Sequence, residues 1–213
     1  MGKDQHKIEW RGEVPISTQF ADPFYSLKDG LAETRYVFLD GNDLPARFRD
    51  GFHVAELGFG TGLNFLATLQ AFRNASVPGK LHFTSFEAFP MDPQDMARAL
   101  APFAGLPTEA VLGDRNGTDF KLTVIQGDAR ITVPNWHGRA DAWFLDGFAP
   151  VQNPELWEDA LLYAVAGKTA PGGTFATYTA VGRIRRTLAS AGFNVERIKG
   201  FNAKPHMTRG TMP

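Results

Sequence analysis

Cysteine is absent from the 213 residues. Disulfide scaffolds, thiolate zinc sites, iron–sulfur clusters and cysteine nucleophiles are thereby excluded. Long apolar runs are also missing: none reaches the roughly eighteen residues that a membrane-spanning helix needs. The opening stretch, Met1 to Val14, has no apolar core of the kind that marks a secretory signal. His6 stands where an N-myristoylation sequence carries serine or threonine. A cytoplasmic protein without membrane partners is therefore expected. Histidine is scarce, and His6, His53, His82, His137 and His206 show no i, i+2 or i, i+4 ligand pairing, so no metal is expected. There is no excess charge of one sign either, with 22 Lys+Arg against 23 Asp+Glu for a net −1.

What remains is ordinary globular material. Hydrophobic residues make up 43% and charged residues 21%, enough to bury one sizeable core in one domain. The neutral total hides a basic end. From Val181 onward there are seven cations (Arg183, Arg185, Arg186, Arg197, Lys199, Lys204, Arg209) and one acid, Glu196.

Residues 1–50 read as an N-terminal extension packed on the domain, with turn signals at Ala21-Asp22-Pro23, Lys28-Asp29-Gly30 and Asp40-Gly41-Asn42-Asp43. Residues 51–213 alternate short apolar runs with helical segments. Strands are expected at Phe52–Leu57, Leu81–Glu87, Leu122–Gln126, Ala140–Leu145 and Thr174–Thr179. Helices are expected at Leu63–Arg73, at Pro93–Ala101 with Asp92 as N-cap, at Pro154–Val165, and at Arg183–Ala191 closed by Gly192. This alternation predicts an α/β fold, a mostly parallel twisted sheet with helices on both faces. Phe193–Gly200 and His206–Met212, joined by Asn202–Pro205, predict a C-terminal antiparallel hairpin inside or at the edge of that sheet.

The first candidate site lies where strand Phe52–Leu57 runs into Gly58-Phe59-Gly60-Thr61-Gly62 and then a helix. Glycine lets the backbone approach a ligand, and a helix N-terminus offers free N–H groups; a purely structural turn is the competing reading. A dinucleotide fingerprint requires glycine at position 63, which is Leu63. The G-x-G-x-G spacing, with Glu56 two residues earlier, resembles the first motif of class I S-adenosylmethionine-dependent methyltransferases. Three further acids close successive strands. Glu87 suits both ribose hydroxyls, and Asp128 the adenine amino group, with Ala129 supplying a backbone N–H. Asp146 stands where methyl donor and acceptor meet. Singly, each acid serves equally well as a loop cap; four at four strand ends point to a nucleotide outside the carboxyl edge of the sheet.

Longer blocks are more specific. The run Asp141-Ala142-Trp143-Phe144-Leu145-Asp146-Gly147-Phe148-Ala149-Pro150, continuing Val151 to Trp157, resembles the signature of the MnmC tRNA-modification family. So do Gly30 to Phe38, Gly58 to Leu66 and Phe83 to Glu87, in the family's order, from about Trp10 to Arg209. The resemblance implies a Rossmann-like class I methyltransferase. It implies methyl transfer from S-adenosyl-L-methionine to 5-aminomethyl-2-thiouridine at the tRNA wobble position, in the anticodon loop, giving the 5-methylaminomethyl nucleoside. In bifunctional members an FAD-dependent oxidase domain follows. The sequence ends at Pro213 without one, so no FAD is expected. Asp146 becomes the candidate catalytic residue, orienting the amine and accepting its proton through water. Phe148 and Pro150 are placed against the uracil ring, with apolar packing as their other reading. Arg183, Arg186 and Lys204 are placed on the RNA, with a solvated basic face as the competing reading.

The sequence departs from the family in two places. After Lys199-Gly200-Phe201 it has Asn202-Ala203-Lys204-Pro205-His206-Met207, where the family has a more basic stretch without proline. The helix after the fifth strand begins Val181-Gly182-Arg183 in place of an aromatic and a small residue. Both lie in the region assigned to substrate. The first departure motivates one alternative, a methyltransferase of the same fold acting on another amine; a second alternative, from another class, is a catalytically silent tRNA-binding module.

Overall fold

A computed structural model describes residues 7–213. The readings made on positions 1–6, including the myristoylation test and His6, lie outside the described residues.

The described chain opens with a small antiparallel sheet, β1 (Ile8–Arg11), β2 (Val14–Ser17) and β3 (Asp22–Pro23). Next comes α1 (Gly30–Thr34), capped by Asp29, whose side chain accepts from Ala32 N at 2.8 Å. A π-turn (Arg35–Leu39) and a 3₁₀ turn (Asp40–Asn42) follow. The alternating part comprises β4 (His53–Leu57), α2 (Leu63–Asn74), β5 (Leu81–Glu87), α3 (Pro93–Leu100), α4 (Glu109–Leu112), β6 (Phe120–Gln126) and α5 (Ala129–Asn135). It continues with β7 (Ala140–Leu145), α6 (Asp159–Gly167), β8 (Thr169–Thr177), α7 (Gly182–Ser190), β9 (Asn194–Lys199) and β10 (His206–Thr211).

The large sheet has the order β6-β5-β4-β7-β8-β10-β9. The first five strands are parallel, and β10 runs antiparallel to both β8 and β9. The expected hairpin therefore enters the sheet with its second strand inside. Period-two alternation buries both faces. On β7, Ala142 and Phe144 join the apolar cluster formed with α2, α3 and α4, while Trp143 and Leu145 join the one formed with α5, α6 and α7.

Three expectations need correction. The helix expected over 154–165 is two pieces: Pro154–Trp157 is a 3₁₀ turn, Glu158 is extended at φ −63°, ψ 145°, and α6 starts only at Asp159. Burying Trp157, with its indole N–H donated to Phe148 O at 3.0 Å, takes precedence over a continuous helix. The fifth core strand begins at Thr169, before Pro171-Gly172-Gly173, because a register shift between Ala140 and Ala142 absorbs those residues. Residues 129–135, given no element from sequence, form α5 behind the Asp128 cap.

The N-terminal segment docks firmly on the domain. Trp10, Phe24 and Tyr25 pack on the core, and the Arg98 guanidinium lies 3.9 Å from the Trp10 ring centroid. The Tyr25 hydroxyl sits 3.0 Å from the carbonyl oxygens of both Glu13 and Ala99.

Candidate active site

The carboxyl ends of β4, β5, β6 and β7 converge on one cavity of about 970 Å³. Strand order reverses at β4, so the crevice lies at the topological switch point of the sheet. Past Leu57 the backbone turns through three left-handed glycines, Gly58, Gly60 and Gly62, at φ +80°, +52° and +81°. Gly62 is the N-cap of α2, and a Cβ there would lie 2.9 Å from the Phe59 ring. Only glycine fits both the torsion and the space. Glu87, closing β5, ties this loop down: Gly60 N donates to Oε2 at 3.0 Å and Phe89 N to Oε1 at 2.8 Å.

Beneath the loop, Asn64 stands in the first turn of α2. Its side-chain nitrogen donates to Glu56 Oε1 at 2.9 Å and to Asp146 Oδ2 at 2.7 Å. Its Oδ1 accepts from the Thr34 hydroxyl at 2.8 Å. Glu56 is fully buried, and its other oxygen accepts from Ser85 Oγ at 2.7 Å. Burial, and then the neighbouring Asp146, push the Glu56 carboxyl well above its ordinary range. Asp146 reaches the cavity, and its Oδ1 accepts from Gly147 N at 2.8 Å. Burial pushes its pKa up to about 7, against the hydrogen bonds from Gly147 and Asn64.

At the end of β6, Asp128 accepts from Arg130 N at 2.8 Å and pairs with the Arg130 guanidinium at 2.7 Å. That hydrogen-bonded pairing holds its carboxyl below the usual range. Arg130 also binds Glu158 at 2.8 Å.

Gly58, Gly60, Glu87, Asp128, Ala129, Asp146, Phe148 and Lys204 all line the cavity. Glu56 lies under its floor, and Gly62, Pro150, Arg183 and Arg186 are not among the lining residues. Arg183 binds Asp159 at 2.6 Å and the Trp157 carbonyl at 2.9 Å. Lys204 binds Glu33 at 2.8 Å and stands 4.5 Å from the Tyr178 ring centroid.

Sequence reasoning missed one whole wall. Phe20, Asp22, Phe24, Tyr25, Glu33 and Thr34 of the N-terminal segment line the cavity. Phe20 stacks on Phe148 with centroids 4.7 Å apart, Phe24 meets Phe148 edge-on at 5.2 Å, and Asp22 accepts from Ala149 N at 2.9 Å. Asn64 carried a readable signal, a lone polar residue inside the apolar run Leu63–Leu66. Thr34 lies within the Gly30 to Phe38 block, but nothing local ties it or Phe20 to strands far along the chain.

A glycine-cornered loop and acids on the neighbouring strand ends, around a cavity sized for one cofactor and an acceptor, fit S-adenosyl-L-methionine. This fold and site define a class I methyltransferase. The chain belongs to the S-adenosyl-L-methionine-dependent methyltransferase family, whose model matches residues 99–213. It is 41% identical over 224 residues to the bifunctional tRNA 5-methylaminomethyl-2-thiouridine biosynthesis protein MnmC of Chromobacterium violaceum, covering 96% of this chain and 34% of that protein. It is 41% identical over 227 residues to the protein of the same name from Caulobacter sp. (strain K31), covering 96% of this chain and 38% of that one. These matches bear out the MnmC resemblance, and the chain spans just over a third of the length of these curated relatives. Among solved structures, MnmC2 from Aquifex aeolicus matches 98% of this chain and 71% of its own with a TM-score of 0.77 at 24% identity, a likeness of fold. Among the described residues no helix is long and apolar enough to cross a membrane, and no group of three or more His, Asp or Glu could hold a metal ion.

Proposed function

We propose that the protein is a cytoplasmic tRNA methyltransferase that converts 5-aminomethyl-2-thiouridine to 5-methylaminomethyl-2-thiouridine at the wobble position of the anticodon loop. The observation that carries this reading is the Asp146 carboxyl, held at the floor of a cavity with an aromatic wall, in a chain so similar to MnmC proteins.

In this reading residues 51–213 form the catalytic domain, and residues 1–50 an extension that completes its cavity. Bound S-adenosyl-L-methionine supplies a methyl group on a sulfonium. Glu87 accepts the ribose hydroxyls from below the glycine loop (Gly58, Gly60, Gly62), and Asp128 with Ala129 N–H reads the adenine edge. Glu56 acts from underneath, through Asn64, without touching the ligand. The acceptor amine attacks only when neutral, whereas alkylamines ordinarily titrate near 10.4. Asp146 holds the amine in line and takes its proton through water; such alignment is worth roughly 7–11 kcal/mol in favourable cases. Phe148, backed by Phe20 and Phe24, faces the uracil ring, with Pro150 behind. Lys204, Arg183 and Arg186 face the RNA backbone.

The test is incubation with methyl-labelled donor and unfractionated tRNA from cells lacking wobble-amine methylation. Nucleoside analysis is expected to place the label in 5-methylaminomethyl-2-thiouridine, and label in no nucleoside overturns the reading. The internal pairing of Lys204 with Glu33 and of Arg183 with Asp159 favours a second reading, a smaller amine acceptor. That reading expects turnover without RNA and a rate nearly independent of salt, whereas a tRNA substrate gives a steep salt dependence.

A further inference from the structure

Two carboxyls at the cavity floor share one amide. We infer that Asn64, locked by Thr34, is a positioning residue that holds Glu56 and Asp146 on one nitrogen, so that once Asp146 ionises the pair keeps a single proton, on Glu56. The consequence for turnover rests on the amine-methylating reading above; the proton placement does not.

The Asn64 amide has two hydrogens, and each goes to one carboxyl, at 2.9 Å to Glu56 and 2.7 Å to Asp146. A flipped amide would set its oxygen against both acids. The Thr34 hydroxyl prevents this by donating to Oδ1 at 2.8 Å, and Thr34, Asn64 and Glu56 are all buried. With the amide fixed, two like charges lie on either side of one nitrogen in a largely dry site, and such pairs do not both ionise.

The surroundings decide which one keeps the proton. Glu56 has 0% exposure and only neutral partners, Asn64 and Ser85. A hydroxyl donates or accepts, so Ser85 serves a protonated Glu56 as well as an ionised one. Asp146 opens on the cavity, accepts from Gly147 N and feels Lys204 from the β9–β10 loop. The other groups facing the pair are acidic: Glu33 from α1 acts on Asp146, and Glu87 from β5 acts on Glu56. Tyr178, after β8, is kept protonated, first by burial and then by Asp146, Asp22 and Glu33. These acids make a second negative charge still less favourable. Lys204, shared with Glu33, acts on Asp146, and among the described residues no cation acts on Glu56, so Asp146 ionises first.

The experiment follows the two carboxyl carbons by NMR through a pH titration of the protein alone. Asp146 is expected to titrate near 7, with Glu56 keeping its proton while Asp146 loses its own. Asn64→Leu removes the shared donor and should raise the Asp146 midpoint by about one unit, a tenfold change in its ionisation constant. Thr34→Val frees the amide and should move it in the same direction by less, and Thr34→Ser should restore it. Because Thr34→Val deletes one hydroxyl in nearly constant volume, it keeps the inference testable if Asn64→Leu fails to fold. Either both carboxyls titrating together below pH 5, or an Asp146 midpoint unmoved in the folded variants, overturns the inference. In turnover, the acid limb of the pH profile should shift with the NMR midpoint while the KM for methyl donor stays put. Normal titrations without transfer to any tRNA nucleoside would sink the proposed function and leave this proton placement standing.

Discussion

Glu87 holds the glycine loop with both oxygens, through Gly60 N and Phe89 N. Glu87→Ala strands two backbone donors and removes the proposed diol acceptor. Hydrogen bonds to a charged group are worth about 1.5–3 kcal/mol, so the Kd for S-adenosyl-L-methionine should rise roughly ten- to a hundredfold by calorimetry. Unchanged affinity would contradict the assignment. Asp146, pushed up to about 7, is protonated below that value and ionised above it. Turnover should therefore rise as pH passes through 7, and Asp146→Asn should abolish that limb along with most of the rate. Single acids at strand ends were legible because strand ends can be read from pattern. Their partners were not: Arg130 claims Asp128 around a cap that sequence left inside a loop, and Asn64 joins acids eight residues before it and eighty-two after.

At the scale of elements, the G-x-G-x-G turn is the joint that aims α2 at the cavity. Gly62→Ala forces a side chain into a left-handed torsion at φ +81°, with its Cβ 2.9 Å from Phe59. A cost of about 1–3 kcal/mol in urea unfolding is expected, with weakened cofactor binding as the loop shifts. An alanine variant of wild-type stability would show that the turn is less constrained than its geometry states. Strands β4, β5 and β7 were readable because burial on both faces leaves near-continuous apolar runs. The small sheet β1–β3 was not, since strands of four, four and two residues are too short to carry a readable periodicity. The break at Glu158 depends on burying Trp157 against distant residues, which no local pattern records.

Across the whole molecule the buried acids leave a signature in stability. Glu56 and Asp146 have folded-state pKa values above their unfolded ones, so between about pH 4 and 7 the folded state holds more protons, and these groups lose stability as pH rises. His53 acts in the opposite sense. Burial, with His82 beside it, lowers its pKa to about 4, so stability is lost as pH falls from 6.5 toward 4. Glu56→Gln imitates the protonated acid. Its Tm should decline less between pH 5 and 8 than that of the wild type, and parallel curves would place the charge elsewhere.

The placement of β10 between β8 and β9 has a consequence for biogenesis. On the ribosome β9 emerges before the strand that must separate it from β8, so β8 is paired on its β7 side alone and β9 on neither side until residues 206–211 have followed. Nascent chains halted just short of that point would display two open sheet edges, an invitation to chaperones or to aggregation.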